Sequence, residues 1–334
     1  MNSRFDPIGF ARALINIDST TGQEAEAGQW LARELRDLGY TVVEQPVEGG
    51  RANILATIDA PAVVLSTHYD CVPPFFPSRL EDGKLYGRGA CDAKGILSAQ
   101  VAAGERLRAS GERRVGLLFV VGEERGSDGA IVANTVAPGS RFLINGEPTD
   151  NRLGSATRGV LRLRLRAAGR AAHSAVPEHG ESAIDKLIDA IVALRSIRLP
   201  ADQAMGSTSY SVGLIEGGVA PNVISPHASA EVVFRTIGPP EDILRAIQPL
   251  DRFVTSEEIL RVPQVKLHVV PGFPTAVFPF TTDIPFLDRW GSPLLFGPGS
   301  ILVAHTSQEH LALAELDRAI EAYQQLAVDC LTRI

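Results

Sequence analysis

Residues 62–73 read Ala-Val-Val-Leu-Ser-Thr-His-Tyr-Asp-Cys-Val-Pro. An apolar run without polar alternation, then a histidine and an aspartate, predicts a short strand buried on both faces whose carboxyl end carries ligands. Similar runs occur at 41–43, 53–58, 115–121 and 142–144, with helix-period stretches at 95–109 and 129–134 between some of them. This alternation predicts an α/β fold, a mixed sheet with helices on both faces. Two further helices open the chain at 6–14 and 24–38, the second stopped by Gly39.

Beyond residue 155 the pattern changes. Residues 160–166, Val-Leu-Arg-Leu-Arg-Leu-Arg, place aliphatics on one face and arginines on the other, the mark of a one-sided strand. A helix at 181–197, strands at 208–215 and 228–236, a helix at 241–250 and a strand at 264–270 complete a β-α-β-β-α-β order, that of a ferredoxin-like α+β sandwich. The apolar-run style resumes at 294–296, and an amphipathic helix over 309–331 closes the chain. The expected organisation is therefore a first domain over 1–154, an insertion over 155–271 and completion of the first domain over 272–334.

Composition narrows the function. The 334 residues are 45% hydrophobic and 21% charged, which is ordinary for a packed globular protein. The formal net charge of -7, with no basic run, excludes the electrostatic footprint of a nucleic-acid binder. Cys71, Cys91 and Cys330 form no disulfide or metal-finger spacing, which predicts a reducing compartment. With no signal-type N-terminus and no apolar stretch of the roughly 20 residues a membrane span needs, a cytoplasmic protein without membrane contact is expected.

Chemistry is expected where the apolar runs end, because open α/β sheets bind ligands beyond the carboxyl ends of their strands. There stand His68 and Asp70, Glu123 and Glu124, Glu147 and, after Gly297-Pro298-Gly299, His305; Asp92 lies in the glycine-rich turn 87–95. So many carboxylates at one sheet edge would repel each other unless cations compensate them. Nitrogen and carboxylate donors without thiolate suit Zn2+ first, with Co2+ and Mn2+ also fitting. One shared carboxylate lets five residues serve two divalent ions, the two-metal hydrolytic arrangement. Adjacent Glu123 and Glu124 point in different directions, so Glu124 can bind metal while Glu123 faces water as general base.

These residues carry a family resemblance. Ser66-Thr67-His68-Tyr69-Asp70-Cys71-Val72-Pro73, Gly87-Arg88-Gly89-Ala90-Cys91-Asp92-Ala93-Lys94-Gly95 and Gly122-Glu123-Glu124 together resemble the M20 metallopeptidase and deacylase family. That family includes acetylornithine deacetylase, succinyl-diaminopimelate desuccinylase, aminoacylase and carboxypeptidases. The resemblance implies a zinc-exopeptidase-like catalytic domain and an inserted domain through which two copies form a homodimer. It implies that His68 and Glu147 hold one metal, Glu124 and His305 the other, and that Asp92 bridges both. Asp70 would orient the His68 ring. Ala172-His173-Ser174 resembles a loop whose histidine stabilises the developing oxyanion in the partner's site. Asn222, in Gly217-Gly218-Val219-Ala220-Pro221-Asn222, and Arg235 resemble substrate-binding positions, and a guanidinium can grip a carboxylate through two parallel hydrogen bonds.

Gly146-Glu147-Pro148-Thr149 and 297–305 look closest to the acetylornithine deacetylase branch, and Thr282-Asp283 resembles another family element. The implied activity is hydrolysis of the amide bond of an N-acyl amino acid, in amino-acid metabolism, with a dipeptidase or carboxypeptidase as the alternative. Two other readings stay open: a hydrolase using Cys71 or Cys91 as nucleophile, and a non-catalytic amino-acid-binding protein.

Overall fold

The computed structural model describes residues 5–203 and 205–333. In chain order it forms α1 (Pro7–Ile15), α2 (Ala25–Asp37), β1 (Thr41–Val47), β2 (Arg51–Thr57), β3 (Val63–His68), α3 (Lys94–Ala109), β4 (Val115–Val120), α4 (Asp128–Asn134) and β5 (Phe142–Asn145). There follow β6 (Gly159–Ala168), α5 (Ala183–Ser196), β7 (Ser209–Gly217), β8 (His227–Thr236), α6 (Pro240–Ile247) and β9 (Thr255–Val262), and finally β10 (Ser292–Leu295) and α7 (Leu313–Thr332). The chain divides into two compact units. One comprises residues up to Ser155, Leu267–Ala276 and the chain from Thr282; the other comprises Ala156–Lys266 with Val277–Thr281.

The first unit is built on a six-stranded sheet of order β1-β2-β4-β3-β5-β10. β4, β3, β5 and β10 run parallel, while β1 and β2 join antiparallel. Its apolar runs have the physical cause expected of them. Val63 and Leu65 face a core with Leu14, Leu31, Leu97 and Ile320 from α1, α2, α3 and α7, whereas Val64 faces α4 and Trp290 on the other side. Leu117 and Phe119 of β4 likewise face the first core and Leu118 and Val120 the second, so apolar side chains fill both faces of these strands.

In the second unit the sheet order is β7-β8-β6-β9, all antiparallel, which is the ferredoxin-like topology. Leu161, Leu163 and Leu165 pack on α5 and α6. Arg164 and Arg166 emerge on the opposite face, where Glu231 and Glu257 pair with them.

The last strand of this sheet corrects the expectation of a strand at 264–270. It is β9, Thr-Ser-Glu-Glu-Ile-Leu-Arg-Val, an edge strand almost wholly exposed and ion-paired, so it shows no hydrophobic pattern. Only Val265–Lys266 is extended in the expected segment. The closing helix begins at Leu313, because His310–Ala312 pairs as a strand with Lys84–Tyr86. Among the described residues no helix is long and apolar enough to cross a membrane.

Candidate metal centre

Four parallel neighbours, β4, β3, β5 and β10, bring their carboxyl ends side by side, and each end delivers a candidate ligand. β3 terminates in His68; β4 continues through Gly122 into Glu123 and Glu124; β5 continues through Gly146 into Glu147; the segment after β10 reaches His305. Gly122 sits at φ +75°, and a Cβ there would meet the Asp128 carboxylate, so only glycine makes this turn. His305 holds φ +62°, a costly conformation for a non-glycine residue and one that clusters at functional sites.

Asp92 stands between the two imidazoles. Its Oδ1 lies 3.1 Å from His68 Nε2 and its Oδ2 3.3 Å from His305 Nε2, and Glu124 Oε1 lies 3.0 Å from the same His305 nitrogen. His68, Asp92 and Glu124 offer ligand atoms within 4.8 Å of one another. Glu147 is buried, and its Oε1 has no hydrogen-bond partner among the described residues, which leaves it available to a cation. These donors fit divalent metal: nitrogen and oxygen only, three of them converging, with one carboxylate spanning two histidines.

A fully buried Asp70 supports the cluster from behind. Its backbone carbonyl lies 3.1 Å and its Oδ1 3.3 Å from His68 Nδ1, which holds the ring proton on Nδ1 and leaves Nε2 facing Asp92. The same carboxylate accepts the backbone N–H groups of Glu123 (3.1 Å) and Glu124 (3.2 Å) and the Thr21 hydroxyl (2.8 Å). One side chain thus fixes a histidine and the Glu123-Glu124 turn together.

The charges are strongly coupled. Hydrogen bonds to Asp92 and then Glu124 push the His305 pKa up to about 10. Burial alone would lower that of His68, but hydrogen bonds to Asp70 and Asp92 more than offset it. Burial also opposes ionisation of Asp92, yet the bonds to His305 and His68 hold its carboxyl below the usual range. Glu123 and Glu147 go the other way, raised by burial and then by neighbouring carboxylates. Metal would favour the ionised Glu124 and Glu147 and the neutral imidazoles that these shifts disfavour, and would reinforce the ionised Asp92.

Cys71 and Cys91 are buried, and burial pushes the Cys71 thiol up to about 12 and raises that of Cys91 as well. Neither is a thiolate at neutral pH, which removes the physical basis of the cysteine-nucleophile reading.

His173, Asn222 and Arg235 belong to the second unit. His173 is exposed, and its Nδ1 accepts the Ala175 N–H at 3.1 Å, which leaves Nε2 as the proton-bearing nitrogen of the neutral ring. The Ser174 N–H donates to the Asn222 carbonyl at 3.0 Å, so the two loops are tied together. Arg235 on β8 is half-buried and forms no ion pair among the described residues.

Two buried carboxylates were not given roles by the sequence reading. Asp283 is 1% exposed, and neither oxygen has a hydrogen-bond partner among the described residues; the Ser127 hydroxyl is near enough to favour its ionised form but does not reach bonding geometry. Its signal was Thr282-Asp283. Glu309 is fully buried. In sequence it reads only as the acidic start of a helix, because its partners lie more than 200 residues away.

A profile of peptidase family M20/M25/M40 matches residues 64–329. The chain is 37% identical to a peptidase M20 domain-containing protein of Schizosaccharomyces pombe, over 96% of this chain and 84% of that one. It is 37% identical to a probable carboxypeptidase of Aspergillus clavatus, over 98% of this chain and 83% of that one. In fold it resembles a tripeptidase of Staphylococcus aureus, with a TM-score of 0.81 and 20% identity, covering 97% and 98% of the two chains. Sequence match over most of its length and a sheet edge furnished with histidines and carboxylates lead to one conclusion: this chain is a hydrolase and belongs to peptidase family M20/M25/M40.

Proposed function

We propose that this hydrolase is a metal-dependent carboxypeptidase of small substrates, cleaving the amide bond that joins an acyl or aminoacyl group to a C-terminal amino acid. The observation that carries the reading is Asp92, whose two oxygens address His68 at 3.1 Å and His305 at 3.3 Å. His68, Asp92, Glu124, Glu147 and His305 would hold two divalent ions, Zn2+ first among them. Bound there, such ions supply Lewis acidity and make water acidic enough to attack near neutral pH.

The chain's own groups do the rest. Glu123 takes a proton from the attacking water and returns it to the departing nitrogen. Asp70 keeps the His68 ring oriented. His173 of the partner subunit donates from Nε2 to the developing oxyanion, and Asn222 contacts the amide neighbourhood. Arg235, half-buried and free of an acidic partner among the described residues, receives the substrate α-carboxylate. A homodimer through the inserted unit is supported by exposed Leu214 and Ile215 on the edge strand β7 and exposed Ile188 and Val192 on α5.

The carboxypeptidase names of relatives that this chain matches over most of their length favour peptide-like substrates. The likeness of 146–149 and 297–305 to acetylornithine deacetylase favours N-acetyl amino acids as the second substrate class. A hydrolysis screen of dipeptides and N-acyl amino acids, with Zn2+ or Co2+ restored after chelation, separates the two. Release of a free C-terminal amino acid is expected, abolished by blocking the substrate carboxylate as an amide. Equal turnover of amidated substrates overturns the carboxypeptidase reading.

A further inference from the structure

Four residues beyond His305, the chain turns inward and buries a carboxylate whose partners are almost all on one distant loop. Glu309 Oε1 accepts three backbone N–H groups, those of Gly89 at 3.0 Å, Cys91 at 3.1 Å and Asp92 at 3.0 Å. Its Oε2 lies 2.6 Å from Arg88 Nη1, an ion pair with 3% and 0% side-chain exposure. Arg88 is itself fixed, donating from Nε to the Pro74 carbonyl at 3.2 Å. Gly89 has φ +88°, and a Cβ there would press to 2.8 Å on Cys71 Sγ, so the turn has little freedom to adapt.

Three N–H groups aimed at one oxygen form an anion-binding nest, and the loop that makes it ends on the residue standing between the two histidines. Without the carboxylate these amides, together with the Arg88 guanidinium, would be buried and unsatisfied, and the turn would rearrange. Its cost would fall on the direction of the Asp92 side chain, which is the next atom group along.

We propose that Glu309 is a positioning residue of the metal centre, and that by gathering the 88–92 turn it aims the two oxygens of Asp92 at His68 and His305. Because Glu309 and His305 share one short segment, the same contact locks the loop of His305 to the turn of Asp92. Two ligands more than 200 residues apart in sequence are thereby held by a single side chain. The inference rests on the reading of Asp92 as a shared ligand.

The test measures Zn2+ affinity by calorimetry on chelator-treated protein, with amide hydrogen exchange on the same metal-free samples. Glu309→Ala is expected to weaken Zn2+ binding about 10- to 100-fold, the usual size for loss of a group that orients ligands. Glu309→Gln keeps an acceptor oxygen but sets an amide N–H2 against Arg88, and is expected to lose several-fold. In both variants the Gly89, Cys91 and Asp92 amides should lose protection while the β3 and β4 amides keep theirs. Should Glu309→Ala fail to fold, Glu309→Gln carries the test alone. A folded variant that binds Zn2+ as the wild type does, or that keeps those three amides protected, overturns the proposal. Asp92→Ala separates the underlying reading: if it binds Zn2+ as tightly as the wild type, Asp92 is no ligand, whatever Glu309 does.

Discussion

The two sheets of this molecule treat side chains in opposite ways. Every residue of β3 and β4 is buried, on one face by α1, α2, α3 and α7 and on the other by α4. β6 has helices on one face only, and its other face carries Arg162, Arg164 and Arg166 in pairs with Glu231 and Glu257. A doubly covered sheet has no face to offer a ligand, so its chemistry is confined to strand ends. There the polar groups are buried and some are unpaired, whereas the one-sided sheet keeps its charges wet and paired. The lesson is that the placement of function follows from the layer architecture before any catalytic residue is considered.

Core truncation should show this contrast most strongly. Leu117→Ala in β4 removes a fully buried side chain and should cost about 2–5 kcal/mol. Arg164→Ala on the open face of β6 should cost far less, since exposed ion pairs contribute little. Urea unfolding of both variants checks the pair; equal losses would break the comparison.

Legibility in the sequence divided along the same line. The apolar runs at 62–66 and 115–121 reveal β3 and β4 because burial on both faces favours apolar side chains at nearly every position. His68, Glu124 and His305 are visible because they interrupt such runs or follow them. β9 is not visible: an edge strand needs no apolar pattern, and its Glu258 and Arg261 pair with each other in water. Glu309 is hidden for another reason, since backbone N–H groups of a remote turn leave no trace in residue types. Asp70 is legible as an orienting carboxylate, but its hold on the Glu123 and Glu124 amides appears only in three dimensions.

The unpaired charge at the sheet end supplies a second, smaller effect. Burial pushes the Asp283 carboxyl from 3.8 up to about 7. A raised acid binds its proton more tightly in the folded chain, so the penalty is absent below the unfolded pKa, grows between pH 4 and 7 and is constant above. Metal-free Asp283→Asn should therefore be more stable than metal-free wild type by about 1–4 kcal/mol at pH 8, and no more stable at pH 4. Thermal melts at the two pH values decide it; a gain that does not shrink at pH 4 would assign the effect to packing instead of charge.

The central claim is that Glu123 moves protons while its neighbours hold metal, and the direct measurement is Zn2+ content and turnover of Glu123→Ala beside the wild type, on a dipeptide or N-acyl amino acid. The variant is predicted to keep the wild-type Zn2+ content and to lose turnover about 100- to 10,000-fold. Turnover within a few-fold of the wild type at full Zn2+ content would contradict the account.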